Sequence, residues 1–78
     1  MENLMVRFTI GLPDWYHRKL VLWAKLKGTT RATLAANIVQ NRIEANWPEI
    51  ERELEAIAKY QGLTLDELIE QWLRDGSE

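Results

Sequence analysis

The chain has 78 residues, no cysteine and a formal net charge of −2 at pH 7, which excludes a disulfide framework and allows one small hydrophobic core. Its 46% hydrophobic content, with four tryptophans, excludes a wholly disordered chain. No apolar run is long enough to span a membrane and no signal peptide is visible. The sequence therefore predicts a cytoplasmic protein without a membrane partner.

Residues 5–13 are predicted to form the only β-strand, after a loose arm at residues 1–4. Apolar side chains alternate with Arg7, Thr9 and Gly11, which is the period-two pattern of a half-buried strand. A lone strand leaves its backbone N–H and C=O groups unpaired. We therefore expect a second copy of the chain to complete an antiparallel two-stranded ribbon across a two-fold axis. The predicted dimer core comprises Val6, Phe8, Ile10, Leu34 and Ile38.

Four helices are predicted after the strand, which makes the fold class mainly α with one β-strand. Gly28 and Gly62 suit the left-handed residue that ends a helix, and Gly76 is expected to close the last one. Pro48 is expected to break a helix, because a proline pushes the preceding residue out of the α region. The expected helices are Asp14 to Lys27, Arg31 to about Ala45, Pro48 to Gln61, and Leu65 to Arg74.

Charge divides the chain into two predicted parts. Residues 1–46 contain seven basic and three acidic residues, a net of +4, whereas residues 47–78 contain three basic and nine acidic residues, a net of −6. This asymmetry indicates that the N-terminal part faces a polyanion and that the C-terminal part has another task. We therefore predict a functional unit at residues 1–46 and an acidic helical hairpin at residues 47–78, packed on it.

The same residue types recur after 34 positions, in two segments that both read as helix, glycine turn, threonine cap and helix. Duplication and chance are both open explanations, because small apolar and capping residues recur cheaply. The first set is Leu20, Ala24, Lys25, Gly28, Thr30 and Leu34, and the second is Leu54, Ala58, Lys59, Gly62, Thr64 and Leu68.

A strand with outward Arg and Thr, followed by two helices joined at a Gly-Thr turn, resembles the ribbon-helix-helix DNA-binding proteins of the Arc/MetJ/CopG type. The resemblance covers roughly residues 5–46 and implies a homodimer whose β-ribbon reads the DNA major groove. It implies that Arg7 and Thr9 contact bases. It also implies backbone and phosphate contacts by Thr29, Thr30, Arg31, Lys27 and Gly11, where Gly11 departs from the family in offering no side chain.

Two function classes follow. The first is a sequence-specific transcriptional repressor that binds double-stranded DNA as a homodimer. The alternative is an antitoxin-type interaction module, whose C-terminal hairpin binds a toxin or another protein. A third, structural reading is that residues 47–78 cover the wide apolar flank of the first helix or drive assembly to a tetramer.

No catalytic constellation, cofactor motif or metal cluster is visible, so we predict neither an enzyme nor a cofactor-binding protein. His17 is the only histidine, and we expect it to have a surface or helix-packing role.

Overall fold

The structure is a computed structural model that describes residues 5–75. Within this range it contains three α-helices. The predicted loose arm at residues 1–4 and the helix-ending role of Gly76 lie outside the described residues. The helices are α1 at Asp14–Leu26, α2 at Arg31–Tyr60 and α3 at Leu65–Asp75.

The predicted β-strand is wrong. Residues 5–13 form neither helix nor strand, and no strand occurs between residues 5 and 75. The side chain of Phe8 is 75% exposed and that of Val6 is 82% exposed. A period-two pattern reflects side-chain preferences, whereas a strand exists only through hydrogen bonds to a second strand, and the described chain contains no second strand. The ribbon-helix-helix fold, with its intermolecular ribbon and four helices, is therefore corrected to a three-helix fold.

The predicted helix break before Pro48 is also wrong, because α2 continues through the proline for 30 residues. A proline inside a helix costs about 3 kcal/mol. The apolar positions Ile43, Ile50, Leu54 and Ile57 keep one helical phase on both sides of the proline. A continuous helix therefore keeps these four side chains on one face. A break at Pro48 would divide them between two faces.

The described chain divides into two compact units, with the boundary inside α2 between Ile38 and Val39. The sequence-based division places this boundary after residue 46, next to the proline. Counted by unit, residues 1–38 hold six basic and two acidic residues, a net of +4, and residues 39–78 hold four basic and ten acidic residues, a net of −6. The charge asymmetry between the two parts is thus also present when the chain is divided by compactness.

Each unit contains a helical hairpin of the same local design. The glycines in the two turns, Gly28 and Gly62, have φ angles of 71° and 74°, which is the left-handed conformation predicted for them. After each glycine a threonine begins the next helix. The Thr33 N–H donates to Thr30 Oγ1 at 3.1 Å, and the Glu67 N–H donates to Thr64 Oγ1 at the same distance.

The buried side chains are those of the repeated positions. Among the described residues four hydrophobic side chains are less than 5% exposed, namely Ala24, Leu34, Ala58 and Leu68. They form two pairs related by 34 residues (58 − 24 and 68 − 34). The recurrence in the sequence thus corresponds to a repeated local structure, in which an alanine is buried before each glycine turn and a leucine is buried after it.

Candidate nucleic-acid interface

The turn of the first hairpin forms an open groove of about 270 Å³ at the N-terminus of α2. Two cationic side chains, Lys25 from α1 and Arg31 from α2, line it together with two threonines. Val21 and Ala24 contribute its apolar lining. Because α1 contributes positions 21, 24 and 25, one face of that helix forms one wall of the groove. The full lining is Val21, Ala24, Lys25, Thr29, Thr30 and Arg31.

The N-terminus of α2 carries no acidic residue in its first turn, whereas α1 begins with Asp14 and α3 begins with Asp66 and Glu67. The positive end of a helix dipole favours an adjacent anion by about 0.3–1 kcal/mol. At α2 the residue beside this positive end is a cation, Arg31, and not an acidic residue. The groove therefore combines unpaired backbone N–H groups, a helix dipole and two side-chain cations, all of which favour an anion.

The second hairpin closes the equivalent helix end with its own carboxylate. The Thr64 N–H donates to Glu67 Oε1 at 2.9 Å, and the Glu67 N–H donates back to Thr64 Oγ1. This pair is the capping box predicted from the sequence. In the first hairpin the position equivalent to Glu67 is Thr33, whose hydroxyl accepts from Thr30 Oγ1 at 3.0 Å. A carboxylate therefore fills the α3 helix end and is missing from the described α2 helix end.

Arg31 also contacts the other helix of its hairpin, because its Nη1 donates to His17 Nε2 at 2.7 Å. A guanidinium has donors only, so the His17 ring nitrogen is the acceptor of this hydrogen bond. This contact fits the helix-packing role expected for His17. It fixes the Arg31 side chain with one N–H and leaves its other donors free for a ligand.

The structure brings together three of the predicted phosphate-contacting residues, Thr29, Thr30 and Arg31, in one groove. Lys27 is not part of the groove lining, and its Nζ lies 5.8 Å from the centre of the Trp23 ring, within cation–π range. Lys25 lines the groove in its place. The helical spacing of Lys25 from Val21 could have identified it from the sequence, because residues four apart share a helix face.

The predicted base-contacting residues lie in a different segment. Arg7 and Thr9 are exposed within residues 5–13 and do not line the groove. Gly11 is exposed in the same segment, and a Cβ atom added there would meet no heavy atom within 4 Å. Of the predicted dimer core, Leu34 is already buried in the first hairpin, with 4% exposure, whereas Ile38 is 39% exposed.

Among residues 5–75 no group of three or more His, Cys, Asp or Glu side chains is arranged to hold a metal ion. None of the helices in that range is both long enough and apolar enough to cross a bilayer. Comparison of the chain with protein-family models, curated proteins and solved structures finds no match.

Proposed function

We propose that this protein is a sequence-specific DNA-binding homodimer that acts as a transcriptional repressor. In this proposal the groove at the first hairpin turn binds a DNA phosphate, with Lys25, Thr29, Thr30 and Arg31 as contacts. In this proposal the protein is cytoplasmic. The observation that carries the proposal is the open cationic groove at the N-terminus of α2.

Charge supports the choice of a polyanion as ligand. The unit that contains the groove has a net charge of +4, although the whole chain has −2. Protein cations that neutralise phosphates release counterions from DNA, and this release drives binding at low salt. An acidic second unit disfavours unspecific adhesion to DNA by the whole surface. The expected DNA contact is therefore confined to residues 1–38.

Exposed apolar side chains support the homodimer. Met5, Val6 and Phe8 are each at least 75% exposed, and Leu26 on α1 is 86% exposed. Large apolar side chains with this exposure favour association of the chain with another copy. A two-fold dimer would also present two phosphate-binding grooves, which matches the two half-sites of an operator.

Base contacts by Arg7 and Thr9 complete the proposal. An arginine can donate two hydrogen bonds to O6 and N7 of guanine, and a threonine offers a hydroxyl for a base and a methyl for thymine. Both residues lie in the exposed segment that precedes α1. An arm without regular structure can enter a DNA groove beside a helical unit, as homeodomain arms do.

The test is a selection of bound duplexes from a random pool at fixed salt, followed by affinity measurements on the selected duplex and on a scrambled one. We expect binding to the selected duplex to be roughly 1,000-fold tighter or more. Arg7→Ala should lose on the order of 1–3 kcal/mol on the selected duplex and much less on the scrambled one. Failure to enrich any sequence would contradict the proposed function.

Protein binding by the second unit is the other candidate function. It is favoured by the exposure of Tyr60 at 92% and Leu73 at 75%, because large exposed side chains of this type are common at protein interfaces. In the antitoxin form of this proposal the partner is a toxin encoded beside this protein. Leu73→Ser should then break the stoichiometric complex with that toxin without changing DNA affinity.

A further inference from the structure

A second groove, of about 470 Å³, runs along one face of α2 within the second unit. Its lining residues recur at intervals of one, three and four, which places them on a single stripe of the helix. Ile43 and Ile50 are 49% and 38% exposed, so the stripe presents an open apolar side chain on each side of Asn46. The lining is Arg42, Ile43, Asn46, Glu49, Ile50 and Glu53.

The charges on this stripe are separated along the helix. Arg42 lies at the N-terminal end, and both acidic residues, Glu49 and Glu53, lie at the C-terminal end. A stripe with this order of charges is complementary to an antiparallel copy of itself, because each end meets the opposite charge. A parallel copy would place like charges side by side, which is unfavourable.

We propose that this stripe pairs two copies of the chain through an antiparallel α2–α2 contact, with the two-fold axis at Asn46. With a rise of about 1.5 Å per residue, Ile43 lies about 4.5 Å before the axis and Ile50 about 6 Å after it. The two-fold operation therefore sets Ile43 against Ile50 of the partner subunit. Arg42 falls between Glu49 of the partner subunit and Glu53 of the partner subunit.

Pro48 does not obstruct this contact. At about 100° per residue it lies roughly 200° around the helix from Asn46, on the opposite face. Asn46 itself donates through Nδ2 to the Arg42 carbonyl at 2.8 Å, which holds its side chain against its own helix. Because the Asn46 side chain is bonded to its own helix, the backbone of the partner helix can approach the stripe at this position.

The inference rests on the proposed function only in that both require a homodimer, and it adds the α2 stripe to the exposed apolar residues of the first unit as a contact between the two copies. Charge reversal tests it. Arg42→Glu places three carboxylates on the stripe, and the double variant Glu49→Lys/Glu53→Lys makes all three charges positive. We expect each to raise the Kd for self-association about tenfold or more, because the reversal makes each attractive charge pair repulsive and the two-fold axis doubles the number of pairs.

Mixing the two reversed proteins gives the sharpest result. In an antiparallel heterodimer the acidic stripe meets the basic stripe, so an equimolar mixture should associate with a Kd close to that of the wild type. Arg52→Glu is the matched control, because Arg52 lies on the same helix but does not line the groove, and its Kd should stay within about twofold of the wild-type value. Sedimentation equilibrium measures each Kd, and circular dichroism checks that every variant is helical.

A cross-linking experiment covers the case in which a charge variant does not fold. The chain has no cysteine, so Asn46→Cys introduces a single reactive site. A short bis-maleimide should join two Asn46→Cys copies efficiently and should join two Arg52→Cys copies poorly. A wild-type protein that stays monomeric would overturn both this interface and the proposed homodimer. A wild-type dimer whose Kd is unaffected by charge reversal, or whose Arg52→Cys copies cross-link as well, would overturn this interface alone.

Discussion

Ala24 and Ala58 occupy equivalent positions in the two helical hairpins. Each is 2% exposed, and each carbonyl accepts a hydrogen bond from the backbone N–H five residues later. The Thr29 N–H donates to the Ala24 carbonyl at 2.9 Å, and the Leu63 N–H donates to the Ala58 carbonyl at 2.8 Å. This bond across a left-handed glycine is the Schellman closure of a helix. The two hairpins thus share the same helix-ending motif and differ in the charged residues around it.

Leu68 is fully buried in the second hairpin, and its truncation should be among the most destabilising changes in the chain. We expect Leu68→Ala to lower the free energy of unfolding by about 2–5 kcal/mol. This is a large share of the total, because a chain of this length is expected to have a free energy of unfolding of about 4–12 kcal/mol. Leu73→Ala is the matched control on the same helix, because Leu73 is 75% exposed. Urea denaturation measures both, and equal losses would contradict the assignment of Leu68 to the core.

The two turn glycines should each resist substitution by alanine. At φ angles of 71° and 74° a Cβ atom is strained, so Gly28→Ala and Gly62→Ala should each cost roughly 1–2 kcal/mol. Space is not the cause, since an added Cβ would meet no heavy atom within 4 Å at either position. Gly11→Ala provides the control, because Gly11 is equally open and has no left-handed φ. Thermal unfolding that ranks Gly11→Ala with the other two would contradict the strain argument.

Pro48 interrupts the hydrogen bonding of a continuous helix, so its removal should stabilise the protein. We expect Pro48→Ala to raise the free energy of unfolding by about 1–3 kcal/mol. The substitution removes the free-energy cost of a proline inside a helix, and this gain is partly offset because proline also restricts the unfolded chain. The helical signal in circular dichroism should change little, because α2 already spans the proline. Destabilisation by Pro48→Ala would show that the proline is required in α2.

Thr33→Glu should transfer the capping box of the second hairpin to the first. The new carboxylate would cap α2 and complement its dipole, so we expect stability to rise by about 0.5–1 kcal/mol. The same carboxylate would occupy the phosphate groove, and DNA affinity should fall at least tenfold. The reciprocal variant Glu67→Thr should lose stability and keep its DNA affinity. If Thr33→Glu bound DNA as tightly as the wild type, the α2 N-terminus would not be part of the DNA contact.

Arg31→Ala should weaken binding to all DNA sequences by a similar factor, because a phosphate contact is independent of the base sequence. The slope of log K against log salt should become shallower by roughly one unit, and Lys25→Ala should behave alike. Arg52→Ala removes the same charge from the acidic unit and should leave the slope unchanged. A sequence-dependent loss with Arg31→Ala would instead assign Arg31 to base contacts.

Local chemistry determined much of the helical structure. Glycine, threonine and the Thr64–Glu67 pair predicted both turns and the capping box, because caps depend on residues a few positions apart. Among the described residues, the four buried hydrophobic side chains all belong to the 34-residue recurrence. The charge asymmetry between the two parts follows from the sequence alone.

The tertiary structure decided the points that depend on more distant partners. Whether residues 5–13 form a strand depends on a hydrogen-bonding partner, which the alternation of their side chains does not supply. Whether α2 continues through Pro48 depends on two opposing effects, the free-energy cost of the proline and the burial of apolar residues that share one helix face on both sides of it. The replacement of Lys27 by Lys25 in the groove depends on which face of α1 meets α2 in the first hairpin. A sequence determines the preferences of its residues locally, and packing decides which of those preferences are satisfied together.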